Sequence, residues 1–474
     1  MSKQLYKRLA KDASFFAIGN LGTKILSFLF MPFYTYYLTT AEFGIADMIT
    51  TSVALIFPIL TIGISEAVLR YTCDNSDNKK EIFSLFVAVI IIATTINTSL
   101  TFIVSLFVPE IKEYILYYII LFFLSASELS LSNFIKGLDF IKLFAFKGII
   151  YTLAFIVCNI LFLAIFNKSL SGYLYSMIIA HVVSILTMLI GGNLKNYMGT
   201  FRINKDLTKM MFRYSIPMVP ATIAWWLNIS LNRYMIAGMV GIEELGLYSV
   251  ATKIPTMVTS ITTIFTQAWQ LSAMRNYGTK GFSTFFSNVF QIIHYILIIG
   301  VLITITGNKI LATFLFRNDF FVAWRYVPLL LISAILSSEA GVLASAYTSS
   351  KKTNVLFIST VIAAVINVLV NYVLIKALGA IGATLACVIS FLCMIYVRVL
   401  LMKSIVSLSV NWKLYILTIF TMVVLSMFAI YDDSNYYTFV LLMNVVVILI
   451  NFQNAYNIMK NLILQQDNTT NKKS

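Results

Sequence analysis

Seven charged side chains lie inside long apolar stretches of this 474-residue chain. A charge inside a membrane helix costs about 2.5–3.5 kcal/mol on insertion scales, so such residues usually face a wet interior and mark function. Three are cations, and cations without an equal number of adjacent acids favour an anionic ligand, above all a phosphate or diphosphate. The seven are Lys24, Arg233, Lys253, Asp47, Glu66, Glu128 and Glu339.

A polar stripe accompanies Lys253. Steps of three and four residues keep side chains on one face of a helix. On that spacing Lys253 is followed by Thr256, Ser260, Thr263, Gln267 and Gln270, and Asn228 and Asn232 lie beside Arg233. We predict a cationic cavity lined by the three cations with Asn228, Asn232, Gln267 and Gln270. For the Thr and Ser hydroxyls the alternative is packing, in which they only bond neighbouring helices.

Three tryptophans near these polar positions are candidates for stacking on sugar rings. They are Trp225, Trp226 and Trp269. The alternative is that they anchor helix ends at the membrane interface, where aromatic residues are enriched.

The acids allow two interpretations. Glu128 and Glu339 have no local partner and are candidates for coupling to H+ or Na+, the alternative being a hydrogen bond to a neighbouring helix. Glu66 is a third coupling candidate, although it lies one turn before Arg70 and can simply pair with it. Asp47 is interpreted as a wetted residue near the outer end of its helix.

Signatures of catalysis are missing from the sequence. The only histidines, His181 and His294, have no acid at a useful spacing, so we expect both to be packed helix residues. No P-loop, nucleophile elbow or Cys/His cluster occurs. We therefore expect no catalytic residue, no metal site and no cofactor.

The elements that must position these residues are membrane helices. The chain is 59% hydrophobic and 11% charged, whereas soluble domains carry roughly a quarter charged residues. Fourteen apolar runs each approach the roughly 20 residues that cross a bilayer, which predicts an all-α integral membrane protein. The runs are 14–38, 43–69, 82–107, 113–135, 143–166, 172–193, 214–239, 246–272, 285–306, 326–348, 355–375, 381–402, 412–431 and 436–459.

Lys and Arg in the connecting segments indicate the orientation, because basic loops near helix ends stay cytoplasmic. With the N terminus inside, 25 basic residues, Lys147 and Arg398 among them, fall on the inner side and 6 on the outer side. This predicts a multi-pass protein with both termini in the cytoplasm. The net charge of +15 is then an orientation and lipid-surface signal, and no nucleic-acid partner is expected.

An internal repeat organises the chain. Residues 38–45 echo residues 240–247 at an offset of 202, each copy placing an acid and a glycine in an expected tight turn. Six helices separate the copies, so the repeats share one orientation and predict two six-helix bundles related by a pseudo-two-fold axis along the membrane normal. The predicted divisions are a first bundle at 1–193, a cytoplasmic amphipathic linker at 194–213, a second bundle at 214–402, and two extra helices with a polar tail at 403–474.

Several short motifs in this order resemble the Wzx-type polysaccharide flippases, which handle O-antigen and capsule repeat units within the multidrug/oligosaccharidyl-lipid/polysaccharide exporter superfamily. The similarity extends over predicted helices one to twelve. The motifs are Lys24-Ile25-Leu26-Ser27, Glu42-Phe43-Gly44, Tyr214-Ser215-Ile216-Pro217, Trp225-Trp226-Leu227-Asn228, Gly246-Leu247-Tyr248-Ser249, Gln267-Ala268-Trp269, Val327-Pro328-Leu329-Leu330 and Ile366-Asn367.

The resemblance implies alternating-access movement of an undecaprenyl-diphosphate-linked repeat unit from the cytoplasmic to the outer face of the bacterial cytoplasmic membrane, with glycosyltransferases and a polymerase as functional neighbours. It also implies that Lys24 and Lys253 are cavity cations. Relatives often carry Asp before the helix-seven Arg, where this chain has Asn232.

Two alternatives stay open. A cation-coupled multidrug exporter of the same superfamily would suit an acidic cavity better than a basic one. A membrane polysaccharide polymerase would usually need a larger outer loop than this sequence offers.

Overall fold

The structure is a computed structural model that describes residues 22–74, 78–197, 204–350, 352, 354–403 and 405–452. Every regular element within those residues is a helix. The predicted beginning of the first helix and end of the last lie outside the described residues. By contacts, the chain divides into two compact units, Met1–Ser249 and Val250–Ser474.

The first unit holds ten helices in its described part, together with most of an eleventh that reaches the boundary. Short 3-10 segments at Pro109–Tyr114 and Leu194–Tyr197 and a π segment at Ile160–Ile165 join or extend them. The helices are α1 (22–29), α2 (Met31–Tyr37), α3 (Thr40–Leu60), α4 (Ile64–Asp74), α5 (Lys79–Phe107), α6 (Ile115–Gly137), α7 (Ile141–Asn159), α8 (Ser169–Gly191), α9 (Lys205–Ser215), α10 (Met218–Met239) and α11 (Ile242–Ala251).

The second unit continues with eight helices in its described part. A 3-10 segment at Asn318–Arg325 links two of them. They are α12 (Lys253–Asn276), α13 (Phe282–Thr306), α14 (Asn308–Leu315), α15 (Val327–Ser349), α16 (Asn354–Leu378), α17 (Ala380–Met402), α18 (Trp412–Tyr431) and α19 (Tyr436–Phe452).

Ten of these helices are long and apolar enough to cross a membrane. The predicted fold class, an all-α integral membrane protein, is confirmed, while the count of fourteen spans stays a prediction. Helices α10 and α12 have 22 and 24 residues but are not among the ten, because polar side chains lower their mean hydropathy. The division at 193 and 214 also stays a prediction.

The predicted second helix is broken into two. Helix α3 begins with a capping box between Thr39 and Glu42, a motif that satisfies free N–H groups at a helix start. It ends at Leu60, and the next residues turn the chain through left-handed conformations, with φ of 53° at Ile62 and 63° at Gly63. The run predicted as one helix over 43–69 is therefore α3 followed by α4.

The predicted amphipathic stretch contains α9. Its apolar side chains Leu207 and Met211 are buried, and the helix packs against α4. The Tyr71 hydroxyl donates to the Met210 carbonyl at 3.2 Å across this contact. Residues 198–203 of the predicted linker lie outside the described residues.

Candidate functional site

The repeated glycines bring α3 and α11 into close contact within the first unit. A Cβ on Gly44 would overlap the carbonyl oxygen of Ile242, and a Cβ on Gly246 would overlap that of Thr40. Both pairs are related by the same offset of 202, so the contact is reciprocal, as expected at a two-fold axis. The expectation of a tight turn at these two glycines was wrong: they lie in the first turns of helices, where only a residue without a side chain permits this approach.

Asp47 lies one turn further along α3 and joins α10 and α11. Its Oδ2 accepts hydrogen bonds from Arg233 Nε and from Ser249 Oγ, both at 2.7 Å. The side chains of Arg233 and Asp47 are only 16% and 12% exposed. Asp47 is thus not a wetted rim residue. The acid that pairs with Arg233 is Asp47 on another helix, and not the residue at 232, which is Asn in this chain. Ser249 is the repeat equivalent of Asp47, again at the offset of 202.

The other predicted ligands of the first unit differ in accessibility. Lys24 is exposed on α1. Asn228 and Asn232 are buried on α10, where Asn228 donates to the Ala224 carbonyl at 2.9 Å and Asn232 to the Tyr248 hydroxyl at 3.3 Å. Lys24 is therefore accessible to a ligand in this structure, whereas the two amides bond within the protein.

The stripe on α12 forms an accessible polar face of the second unit. Lys253, Thr256, Thr263 and Gln267 are exposed. Gln270 is half-buried and donates to Thr348 Oγ1 at 3.3 Å. The helical spacing predicted from the sequence thus corresponds to a surface that a polar ligand can reach.

The three tryptophans have different surroundings. Trp225 is 46% exposed. Trp226 is buried with its ring 5.6 Å from that of Tyr234, and Trp269 is buried between Phe285 and Phe286. Sugar stacking in this conformation is therefore open to Trp225, while the other two rings pack against the protein.

A buried group of four side chains, the Glu128 cluster, joins α6, α7 and α8. Glu128 Oε1 accepts from Lys147 Nζ at 2.6 Å and from Ser184 Oγ at 2.8 Å. Its Oε2 lies 2.5 Å from Nδ1 of His181. Because Lys147 brings a full positive charge, the carboxylate is compensated and both of its oxygens are bonded.

A second buried group, the Glu339 cluster, joins α13, α15 and α18. Glu339 is completely buried, with Oε1 2.6 Å from His294 Nδ1 and Oε2 accepting from the Tyr415 hydroxyl at 2.5 Å. Within the described residues no Lys or Arg forms an ion pair with this carboxyl group. The carboxyl group of Glu339 is therefore bonded to an imidazole and to a hydroxyl group.

These contacts correct three expectations from the sequence. Each histidine does have an acid partner, but on a helix 53 or 45 residues away. Lys147 is not a loop cation, since it lies inside α7 and pairs with Glu128. Glu66, the third coupling candidate, is exposed on α4.

Arg398 is likewise buried rather than in a loop. Its guanidinium donates to the Ala340 carbonyl at 2.5 Å and to Ser359 Oγ at 3.1 Å, and its own carbonyl accepts from the Tyr347 hydroxyl. The side chain thereby fastens α17 to α15 and α16.

The first half of the chain matches the model of a known protein family. The family model described as "Polysaccharide biosynthesis protein" matches residues 9–270, more than half of the chain. The chain belongs to the polysaccharide biosynthesis protein family. The resemblance to Wzx-type flippases predicted from the sequence is thereby confirmed at the level of the family. No curated protein sequence matches the chain significantly.

Solved structures agree on the fold of this family member. It is similar to a lipid II flippase, MurJ, in an inward closed conformation, with a TM-score of 0.65 and 14% identity over 96% of this chain and 99% of that one. It is also similar to an inward-facing multidrug resistance transporter of the MATE family (TM-score 0.64, 14% identity, 82% and 98% covered). A transporter of the same MOP superfamily from Pyrococcus furiosus gives 0.57 at 13% identity, with 83% and 96% covered. These likenesses show the fold of membrane transporters.

Proposed function

We propose that this protein moves undecaprenyl-diphosphate-linked oligosaccharide repeat units from the cytoplasmic to the outer face of the bacterial cytoplasmic membrane by alternating access. The observation that carries the proposal is the charge on its two polar long helices. Helices α10 and α12 hold Arg233, Lys253 and Arg275 and no Asp or Glu, in a family described by polysaccharide biosynthesis. Cationic helices suit a diphosphate, whose oxygens accept charge-assisted hydrogen bonds.

The side chains proposed to bind the substrate are those that are exposed in this structure. Lys24 and Lys253 are exposed and are proposed as the primary diphosphate ligands. Gln267 and Gln270 follow Lys253 on α12, and Trp225 is the ring proposed to stack on a sugar. Arg233 is bonded to Asp47, so it binds the diphosphate only by exchanging one anion for another. Asn228 and Asn232 are buried and bonded within the protein, so they serve as ligands only in a conformation that exposes them, and the polyprenyl tail stays in lipid.

Coupling is proposed at the buried carboxyl groups. Glu339 shares its surroundings with a histidine and a tyrosine and is the stronger H+ candidate, while Glu128 is held by Lys147. An exposed Glu66 contributes least, and H+ suits these sites better than Na+. The membrane potential would assist outward movement of negative charge by about 2.3 kcal/mol per charge per 100 mV.

The cellular setting belongs to the same proposal. Basic inner loops support a cytoplasmic-membrane location with both termini in the cytoplasm. Glycosyltransferases would supply the lipid-linked glycan and a polymerase would use it, for surface polysaccharides such as O-antigen or capsule. The protein itself acts as a transporter and not as an enzyme.

A cation-coupled multidrug exporter is the second candidate, favoured by the similarity to MATE transporters. Organic cations need an acidic or neutral binding surface. The described α12 carries only basic charges, Lys253 and Arg275, whereas Arg233 of α10 is paired with Asp47, so the anionic lipid-linked substrate is preferred on the charge of α12.

The proposal is tested in cells whose surface polysaccharide depends on this protein. Replacing Lys24 or Lys253 by Ala should lower surface polysaccharide and raise lipid-linked repeat units on the cytoplasmic side. Lys280→Ala, which removes an exposed lysine from a short connection, is the matched control and should have no effect. Normal surface polysaccharide in both variants, with normal amounts of inserted protein, would refute the ligand assignment.

A further inference from the structure

An apolar groove runs between α5, α6 and α8 of the first unit. Its volume is about 260 Å³, and among its thirteen lining side chains only Ser127 carries a polar group. Phe86, Ile90 and Leu124 form a floor that is at most 8% exposed, whereas Leu186 on the rim is 48% exposed. The groove therefore has a floor of buried side chains and an exposed rim, and it opens outward from the unit.

The groove lies mainly along one half of these helices. Its α5 residues begin at Phe83, one turn from the start of the helix, and its α8 residues lie in the second half of a helix that ends at Gly191. Its α6 residues extend from Phe123, just before the middle of the helix, towards the end at Gly137. These are the helix ends predicted to be cytoplasmic. An open apolar groove at that depth faces hydrocarbon chains, which cover its walls without the cost of exposing apolar surface to water.

Lysines stand at this end of the groove. Lys79 and Lys80 are one turn before Phe83 on α5, with Glu81 as the one acid of that turn. Lys195 is exposed on the 3-10 segment Leu194–Tyr197, which packs against α5. The ring of Tyr197 lies 5.4 Å from that of Phe134, which in turn lies 5.5 Å from that of Phe83. This chain of rings fixes the segment beside the groove.

We propose that the groove binds one acyl chain of an anionic phospholipid, with its phosphate held by Lys80 and Lys195. The apolar lining matches the chain, and the excess of lysines at the open end matches a headgroup with net negative charge. Residues of this kind attract anionic lipid surfaces by about 1 kcal/mol each. This site is separate from α10 and α12, so it does not depend on the proposed transport function.

Native mass spectrometry of the delipidated full chain in detergent tests the site, with phosphatidylglycerol and phosphatidylcholine of identical acyl chains as probes. Two lysines at about 1 kcal/mol each predict roughly 30-fold tighter binding of phosphatidylglycerol. Lys80→Gln or Lys195→Gln should each weaken that binding about fivefold. Lys413→Gln, at an exposed lysine of the second unit, should leave it unchanged.

Filling the groove tests the acyl chain. Ile90→Trp places an indole on the buried floor and should abolish specific binding, while Ile92→Trp, at a residue 58% exposed on the same helix, should not. Leu186→Trp on the exposed rim provides a second variant in case Ile90→Trp does not fold. Equal retention of both lipids, unchanged binding in the filled variants, or displacement of phosphatidylglycerol by an equimolar polyprenyl phosphate would each overturn the proposal.

Discussion

The Glu128 cluster and the Glu339 cluster each hold a glutamate between three helices, but with different partner side chains. Each buries a glutamate inside a helical unit, and each uses one of the two histidines of the chain. Glu128 also has the amino group of Lys147 at 2.6 Å. Glu339 has instead the neutral hydroxyl of Tyr415.

This difference in partners determines how the charge of each buried glutamate is compensated. A buried ion is stable only when paired and fully hydrogen-bonded, a condition that Lys147, Ser184 and His181 meet for Glu128. Glu339 must either be protonated or take its counter-charge from His294. The first cluster therefore joins three helices around a Lys–Glu ion pair, and the second joins three helices around a glutamate that has no Lys or Arg ion pair within the described residues.

Removing one charge should separate the two clusters most clearly. Glu128→Gln leaves Lys147 buried without its counter-ion, which should lower the free energy of unfolding by about 3–5 kcal/mol. Glu339→Gln leaves no lysine without its counter-ion, so its cost should be smaller, about 1–3 kcal/mol. Unfolding of both variants in the same detergent measures this contrast. Equal losses would show that the two clusters do not differ in charge compensation.

A double variant sharpens the assignment of the fixed cation. Lys147→Met removes the charge that Glu128→Gln leaves behind, so the combined variant should be about 1–3 kcal/mol more stable than Glu128→Gln alone, a coupling typical of residues in contact. A double-mutant cycle on the unfolding free energies measures it. Additive losses would mean that the Lys147–Glu128 pair contributes no coupling.

The sequence predicts the helices and most of the charged residues inside them, because both follow from local hydropathy. Which charges meet is a different matter, since helical spacing relates residues only along one helix. Asp47 and Arg233 are 186 residues apart and Glu128 and His181 are 53 apart, beyond any local pattern. The repeat offset of 202 relates Gly44 to Gly246 and Asp47 to Ser249, but the repeat alone did not predict that the two copies contact each other.

A smaller effect is expected from the hydroxyl that completes the second cluster. Tyr415→Phe deletes one hydrogen bond to Glu339 and should lower the free energy of unfolding by about 1.5–3 kcal/mol if the carboxyl is ionised, and by about 1 kcal/mol if it is protonated. Tyr431→Phe on the same helix, where the ring is 61% exposed, is the matched control. A loss equal to that of the control would remove Tyr415 from the cluster.

The smallest expected change is spectroscopic. Infrared difference spectra between the protein and Glu339→Gln should contain a carboxyl band of Glu339 that reflects its hydrogen bonds to His294 and Tyr415. The same band should persist in the Glu128→Gln/Lys147→Met variant, because the first cluster keeps its carboxylate ionised. If the band is instead lost when Glu128 is replaced, it belongs to Glu128, and the assignment of the two clusters is contradicted.

Transport by the purified protein tests the central proposal most directly. Proteoliposomes would carry a fluorescent polyprenyl-diphosphate oligosaccharide in the inner leaflet, and a membrane-impermeant quencher would report its arrival outside. We predict that the protein makes the fluorescent lipid accessible to the quencher, more slowly in Lys253→Ala and at the normal rate in Lys280→Ala. Continued protection of the lipid, together with movement of an organic cation across the same membranes, would contradict it.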